Sequence, residues 1–203
     1  MHGTEEIRKK NQRTIIMLVL AFIMPVVAAY LVYINMDKSG KTRNNGELVI
    51  PARPLETFKA QTITGTDFGI EQLKGNWHLL YIGSGACEQA CNAALSKIHQ
   101  TRLAQGKAMS RVHLLYLALD NNALQNAAEL QKKYARLTVL SATQPELDAA
   151  VQLFSDEKHN VREGGLIYMI DALGNLMMRY KTDTRLIGMI KDLEHLLKIS
   201  QIG

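Results

Sequence analysis

The chain has only two cysteines, Cys87 and Cys91, and both lie in the stretch YIGSGACEQAC (81–91). Residues at i and i+4 on a helix share one face, with Cα atoms about 6 Å apart, inside the reach of a disulfide. A regular helix does not hold a relaxed bridge at this spacing. Oxidation would therefore strain or unwind the first turn, and strained bridges are the reducible ones. Cys87 is expected at the start of a helix over 87–105, where the free N–H groups and the macrodipole favour a thiolate. Glu88 beside it works the other way. Two thiolates on one face also suit a soft ion such as Cu(I), given a third ligand from elsewhere. Two plainer readings stand beside these. One is a structural disulfide, although a loop this short constrains the unfolded chain little. The other is an inert pair, because Cys91 shares a helical face with Ala94, Leu95 and Ile98.

The elements around the pair give it a place in a fold. WHLLYIG (77–83) reads as a short buried strand running into Gly83-Ser84-Gly85, and Gly106 as a left-handed stop for the helix that follows. RVHLLYLALD (111–120) is the most apolar strand, and NNALQNAAELQKKYA (121–135) a second helix. LTVLSA (137–142) and QPELDAAVQLF (144–154) make a third strand and a third helix. GLIYMID, ALGN and LMMRY (165–180) predict a strand, a turn and a strand, a hairpin at the sheet edge. TRLIGMIKDLEHLLKI (184–199) closes the chain as an amphipathic helix, apolar at Leu186, Ile190, Leu193 and Leu197. Upstream, LVIPARPL (48–55) carries two prolines and suits an extended edge segment, and TFKAQTITG (57–65) alternates like a strand. Strands alternating with helices predict an α/β domain with a partly parallel sheet covered on both faces. Open α/β sheets place their sites at the carboxyl ends of strands, which is where the cysteines fall.

Ahead of this domain, residues 14–34 contain no charged residue, enough to cross a hydrocarbon core of about 30 Å. Pro25 is tolerable in such a helix, and Tyr30 and Tyr33 suit the interface at one end. A cleaved signal peptide, cut after Val27-Ala28-Ala29, is the alternative, but the apolar run continues past that point. Four basic residues (Arg8, Lys9, Lys10, Arg13) precede the span, against Lys38, Lys41 and Arg43 after it. That bias predicts a cytoplasmic N-terminus with the domain outside, in the periplasm of a bacterial inner membrane. The organisation expected is a cytoplasmic tail over 1–13, a transmembrane anchor over 14–34, a polar linker over 35–46 and the domain over 47–203. The net charge of +5 is scattered, with no basic stripe interleaved with aromatics, so nucleic acid is not an expected partner.

An anchor, WHLLYIG-x-x-x-C-x-x-x-C at a strand-to-helix turn, VHLLYLALD and IYMIDALGN together resemble the Sco/SenC family of thioredoxin-like proteins. The resemblance covers roughly residues 50–200. GELVIPARPL, YIGSGACEQACNAAL and TRLAQGKAMSRV are similar to the small anchored Sco-related proteins of proteobacterial cytochrome oxidase gene clusters. The fold implied is a thioredoxin-like central mixed sheet flanked by helices, preceded by one transmembrane helix. The function implied is copper delivery or thiol reduction in cytochrome c oxidase assembly, with an oxidase subunit or another assembly factor as partner. Cys87 and Cys91 carry over as redox pair and metal ligands, Cys87 as the exposed attacking thiol and Cys91 as the resolving one.

The family's third ligand, a histidine, does not carry over: its position is Glu163, a hard ligand poorly suited to Cu(I). Gly164-Gly165 stands where a thioredoxin carries its cis-proline, and the prolines that commonly flank the family's cysteines are missing. His159, four residues before Glu163, is the replacement third ligand to consider. His78 falls at the far end of its strand, His99 too far along its helix, His113 in an apolar strand and His195 on a solvated face. Met177-Met178 reads as core and edge rather than a copper box. These departures favour thiol–disulfide exchange over tight copper binding. A non-catalytic scaffold that contacts respiratory assembly partners is the reading from a different class.

Overall fold

The structure, a computed structural model, describes residues 3–35, 44–83, 87–121 and 124–200. It divides into two units, Met1–Thr42 and Arg43–Gly203. The first consists of one helix, α1 (Gly3–Asn35), with Pro25 inside it. Within it Arg13–Val32 spans 20 residues at a mean hydropathy of 2.8. At 1.5 Å per residue that is about 30 Å of apolar helix. Ile15, Phe22 and Val26 on this helix are exposed. Most of the expected linker, residues 36–43, lies outside the described residues.

The second unit is a three-layer α/β domain. Its eight strands are β1 (Glu47–Pro54), β2 (Lys59–Thr62), β3 (Asp67–Gly69), β4 (Trp77–Gly83), β5 (Val112–Ala118), β6 (Leu137–Ser141), β7 (Leu166–Ile170) and β8 (Asn175–Lys181). They form one sheet in the order β1-β8-β7-β4-β5-β6-β2-β3. β4, β5 and β6 run parallel, and β7 pairs antiparallel with β4. Among the described residues its α-helices are α2 (Ile70–Leu73), α3 (Gln89–Leu103), α4 (Ala127–Lys133), α5 (Gln144–Phe154) and α6 (Leu186–Ile199). β4 is buried along its whole length, and the pleat divides it between two cores. Trp77, Leu79 and Tyr81 pack with residues of α3, α4 and α6 on one face. Leu80 and Ile82 pack with Leu73 of α2 and with Leu147, Ala150 and Phe154 of α5 on the other.

Several expectations change at element ends. The helix expected over 87–105 starts only at Gln89, with Glu88 as its N-cap, so Cys87 lies outside it. Gly106 does take a positive φ, at the start of a 3₁₀ turn over Gly106–Arg111 rather than as the helix cap. The second helix is confined to Ala127–Lys133, and residues 122–123 of its expected start lie outside the described residues. The β7–β8 hairpin is not the sheet edge: β1, with its two prolines, covers β8 and is itself the edge. A strand with two N–H groups missing cannot sit between two partners, so the prolines leave β1 only the outside position.

The buried face of α6 is Gly188, Met189, Asp192, Leu193 and Leu197: of the expected stripe Leu193 and Leu197 are buried, while Leu186 and Ile190 are half-buried. Asp192 is 5 % exposed and accepts from Asn45 N–H (2.8 Å to Oδ2), Gly46 N–H (2.9 Å), the Asn45 amide (2.9 Å) and the Tyr180 hydroxyl (3.2 Å). The helix turns this carboxylate inward because the incoming chain needs an acceptor there. Asn45 and Gly46, expected as linker, are thereby part of the domain. Gly188 permits the approach, since a Cβ there would stand 2.7 Å from Asn45 Cβ.

Candidate functional site

β4 ends at Gly83, whose carbonyl accepts from Leu119 N–H at 2.9 Å, tying the ends of β4 and β5 together. Tyr81 and Tyr116, paired in register on these strands, stack at 5.9 Å beneath the start of α3. Residues 84–86 lie outside the described residues. The chain resumes at Cys87, which is disulfide-bonded to Cys91 with the two Cα atoms 5.1 Å apart. Of the readings open from spacing, the structure holds the oxidised pair. Cys91 sits in the first turn of α3, and Cys87 reaches it from outside the helix. Leaving Cys87 out of the helix removes the conflict between helix geometry and a bridge at this spacing.

The pair is not exposed. Cys87 is 7 % and Cys91 8 % accessible, in the core that contains Tyr81, Ala94, Leu95, Ile98 and Tyr116. The expected exposed attacking thiol at Cys87 is thus corrected, for the oxidised form, to a buried sulfur. Glu88 next to it is exposed.

A polar clamp holds this loop. The Asn92 side-chain amide donates to the Cys87 carbonyl at 2.7 Å and to the Glu88 carbonyl at 3.2 Å. Its Oδ1 accepts from Lys133 Nζ at 3.1 Å, and the Tyr134 hydroxyl donates to the Asn92 backbone carbonyl at 3.3 Å. Lys133 also lies 5.1 Å from the centre of the Tyr134 ring. The sequence reading missed all three residues. An Asn in the first turn of a helix carries a weak signal, and Lys133 and Tyr134 come from the last residue of α4 and the one after it.

His159 is not brought to the sulfurs. Its Nε2 meets Glu47 Oε2 at 3.2 Å, and its Nδ1 lies 3.0 Å from Asp156 Oδ1 and 2.7 Å from a guanidinium nitrogen of Arg179. Arg179 stands on β8 between Met178 and Tyr180, whose side chains enter the cysteine-side core. It therefore projects to the opposite face of the sheet, and His159 is held there with it. Among the described residues no group of three His, Cys, Asp or Glu side chains is placed to hold a metal ion. Of the three ligands considered, the described residues bring together only the two sulfurs, and His159 stands instead in an ionic cluster with Glu47, Asp156 and Arg179. His159→Ala is expected to leave Cu(I) uptake by the reduced chain unchanged, while lowering unfolding free energy by about 1–2 kcal/mol. Parallel Cu(I) titration and denaturant unfolding check this; a lost copper equivalent would restore His159 as a ligand.

Glu163 closes the short turn Val161–Glu163 and is exposed. Because Tyr81 of β4 faces Ile167 of β7, residues 163–165 lie at the same sheet end as the cysteine loop. Gly164 and Gly165 both adopt positive φ, +70° and +79°, a backbone that proline cannot take. Of the other histidines, His78 is buried and its Nε2 bonds to the Leu73 carbonyl at 3.0 Å. His99 packs on Tyr134, His113 on His78, and His195 is exposed. Met178 is core and Met177 half-buried.

A family described as "Transmembrane-like, thioredoxin-like, C-terminal domain" matches residues 77–200. The chain belongs to this family. The matched segment runs from the first residue of β4 to the end of α6, so it takes in the cysteine loop. A Stutzerimonas stutzeri protein named "Putative copper-binding protein" is 25% identical over 124 residues, 61% of this chain. The match spans 57% of that protein's own length, little more than half. Among solved structures, yeast Sco1 with copper bound superposes with a TM-score of 0.60 at 15% identity, covering 79% of this chain and 96% of Sco1. BsSco, described through a disulfide switch and as a member of the Sco family of cytochrome c oxidase assembly proteins, gives 0.54 at 20% identity, with coverage of 74% and 96%. The thioredoxin-like domain of this chain thus has the fold of the Sco/SenC structures, as the resemblance implied.

Proposed function

We propose that this thioredoxin-like protein exchanges a disulfide between Cys87–Cys91 and a partner dithiol, tethered by α1 to a bacterial inner membrane with its domain in the periplasm. The observation that carries the reading is the disulfide itself, at the carboxyl end of β4 and the entrance to α3. Loop-closure entropy for so short a loop gives about 2 kcal/mol, so stability is a weak reason for a bridge there. In one direction a thiolate of the partner attacks the Cys87–Cys91 bond, forming a mixed disulfide and freeing one cysteine thiolate. The partner's second thiol displaces the remaining cysteine. Two electrons and two protons move to this chain, and the partner leaves oxidised. The reverse sequence, with Cys87 attacking and Cys91 resolving, reduces a partner disulfide.

The copper bound in yeast Sco1 and the assembly role in the BsSco description support a partner that handles copper for cytochrome c oxidase. With two sulfurs and no third donor among the described residues, this chain serves the thiol state of that partner rather than holding the metal tightly. The burial of both sulfurs favours a second reading, a scaffold with a silent disulfide.

The full chain in detergent, titrated with a glutathione redox buffer, distinguishes the two. A reversible two-electron couple is expected, in the range of redox-active rather than structural disulfides. Thiols that stay unreactive toward an alkylating agent in the reduced native protein would sink it. In cells, a Cys87→Ser/Cys91→Ser double variant is expected to lower oxidase activity; unchanged assembly supports the scaffold.

A further inference from the structure

We infer that Asn92 is the positioning residue that sets the balance of the Cys87–Cys91 couple, an inference that rests on the proposed exchange reaction. Two groups compete for the Cys87 carbonyl. In a helix running back through Cys87, that carbonyl would accept from Cys91 N–H, four residues on. Here α3 begins at Gln89, and the Asn92 side-chain amide takes the Cys87 carbonyl at 2.7 Å. Among the described residues no hydrogen bond joins Cys91 N–H to that carbonyl. The Glu88 carbonyl, by contrast, keeps its helical partner, Asn92 N–H at 2.9 Å, and receives the Asn92 amide as well at 3.2 Å. One side chain thus stops the helix one residue short of Cys87.

The stop matters because the two geometries suit different redox states. With Cys87 off the helix the Cα atoms are 5.1 Å apart and the bridge closes. With Cys87 in the helix the spacing of about 6 Å is still within reach of a bridge, but a regular helix does not hold a relaxed one between i and i+4, so that frame suits two separate thiols. By occupying the carbonyl, Asn92 favours the geometry of the disulfide over that of the extended helix. The amide is itself held in orientation. Its oxygen accepts from Lys133 Nζ at 3.1 Å, which leaves the NH₂ group pointing at the two carbonyls. The Tyr134 hydroxyl on the Asn92 backbone carbonyl ties the same turn to the segment after α4. The reaction affected is the two-electron exchange with a thiol: two thiols of the reductant become its disulfide, and Cys87–Cys91 becomes two thiols.

The test compares the glutathione equilibrium of the full chain in wild type, Asn92→Ala, Asn92→Asp and Lys133→Met. Losing one hydrogen bond predicts that Asn92→Ala favours the dithiol about fivefold, roughly 20 mV. Asn92→Asp keeps the acceptor for Lys133 but has no N–H to give, so a shift at least as large is expected. Lys133→Met keeps the amide and is expected to shift less than twofold. Hydrogen exchange gives a readout independent of the couple: in reduced Asn92→Ala the Cys91 amide becomes protected as the helix extends to Cys87. An equilibrium unchanged in Asn92→Ala, or a Lys133→Met shift as large as that of Asn92→Ala, overturns the inference while leaving the exchange reaction standing. A wild-type chain with no reversible couple overturns both.

Discussion

Asp156→Ala is expected to lower the unfolding free energy by about 3 kcal/mol, the low end of the range for a buried ion pair that loses one partner, because the Asp156 side chain is itself 29 % exposed. Arg179 is only 3 % exposed, in the middle of β8. Its guanidinium meets Asp156 Oδ2 at 2.5 Å and His159 Nδ1 at 2.7 Å, while its Nε is buried with no hydrogen-bond partner among the described residues. The Asp156 carboxylate also accepts from Lys158 N–H and His159 N–H, both at 2.9 Å. Burial works against its ionisation, but the hydrogen bonds from Lys158, His159 and Arg179 outweigh that and hold its pKa well below the usual carboxylate range. Without Asp156 a full positive charge stays inside the protein next to an imidazole. Asp156→Asn keeps an oxygen for the hydrogen bonds and loses the charge, so a smaller loss is expected. For a domain of this size the Ala variant should lower Tm by about 10 °C. Denaturant unfolding of the two variants checks it; a loss under about 1 kcal/mol for Asp156→Ala would show that solvent reaches Arg179.

The second large effect is a loss of stability between pH 6.5 and pH 4, traced to His78. This side chain is 1 % exposed on β4. Burial pushes its pKa down from 6.5 to about 4, against the Leu73 carbonyl bond, which works upward, with a smaller downward push from His113. Above pH 6.5 the imidazole is neutral folded and unfolded, and the linkage contributes nothing. Between pH 6.5 and 4 the unfolded chain takes up a proton that the folded chain refuses, so stability falls with pH. At 1.36 kcal/mol per unit the loss reaches about 3 kcal/mol by pH 4. His99 and His113 are also lowered by burial and act in the same direction. Asp156, a depressed carboxylate, adds its own loss only at lower pH, below its unfolded value of 3.8. His78→Leu should flatten most of the slope between pH 6.5 and 4, after a cost of about 1 kcal/mol at neutral pH for the unpaired Leu73 carbonyl. An equally steep slope in His78→Leu would refute the assignment to this residue.

Much of the architecture was legible in residue order because it is local. The apolar span near the N-terminus, the unbroken apolar strands WHLLYIG and VHLLYLA, the prolines that keep β1 at an edge and the Leu-rich spacing of α6 each reflect a periodicity within a few residues. The cysteine loop was legible for the same reason: a buried strand ends in glycines and a helix follows, so the pair had to fall at a carboxyl strand end. Where the local signal was weak, the boundaries slipped. The Asn-rich stretch before α4 resembles a helix start, but α4 begins at Ala127, and the helix expected at Cys87 begins two residues later.

The relation of each cysteine to its surroundings depends on segments far away in the chain. Sequence spacing brought His159 close to the family's ligand position, and side-chain parity on β8 took it away. Arg179 points to the face opposite Met178 and Tyr180, and His159 follows Arg179 through charge and hydrogen bonding. Counting along the chain could not supply that, because parity on one strand is expressed only against the helices packed on each side. The same holds for Asn92, whose effect on Cys87 is oriented by a lysine from another helix. Residue order therefore settles that a cysteine pair stands at the end of β4. Folding settles that the pair is bridged and buried, that it lacks a third donor among the described residues, and that an asparagine keeps Cys87 off the helix. Each of these is a contact whose energy depends on distance in space, where the other partner is a segment that the local pattern does not reach.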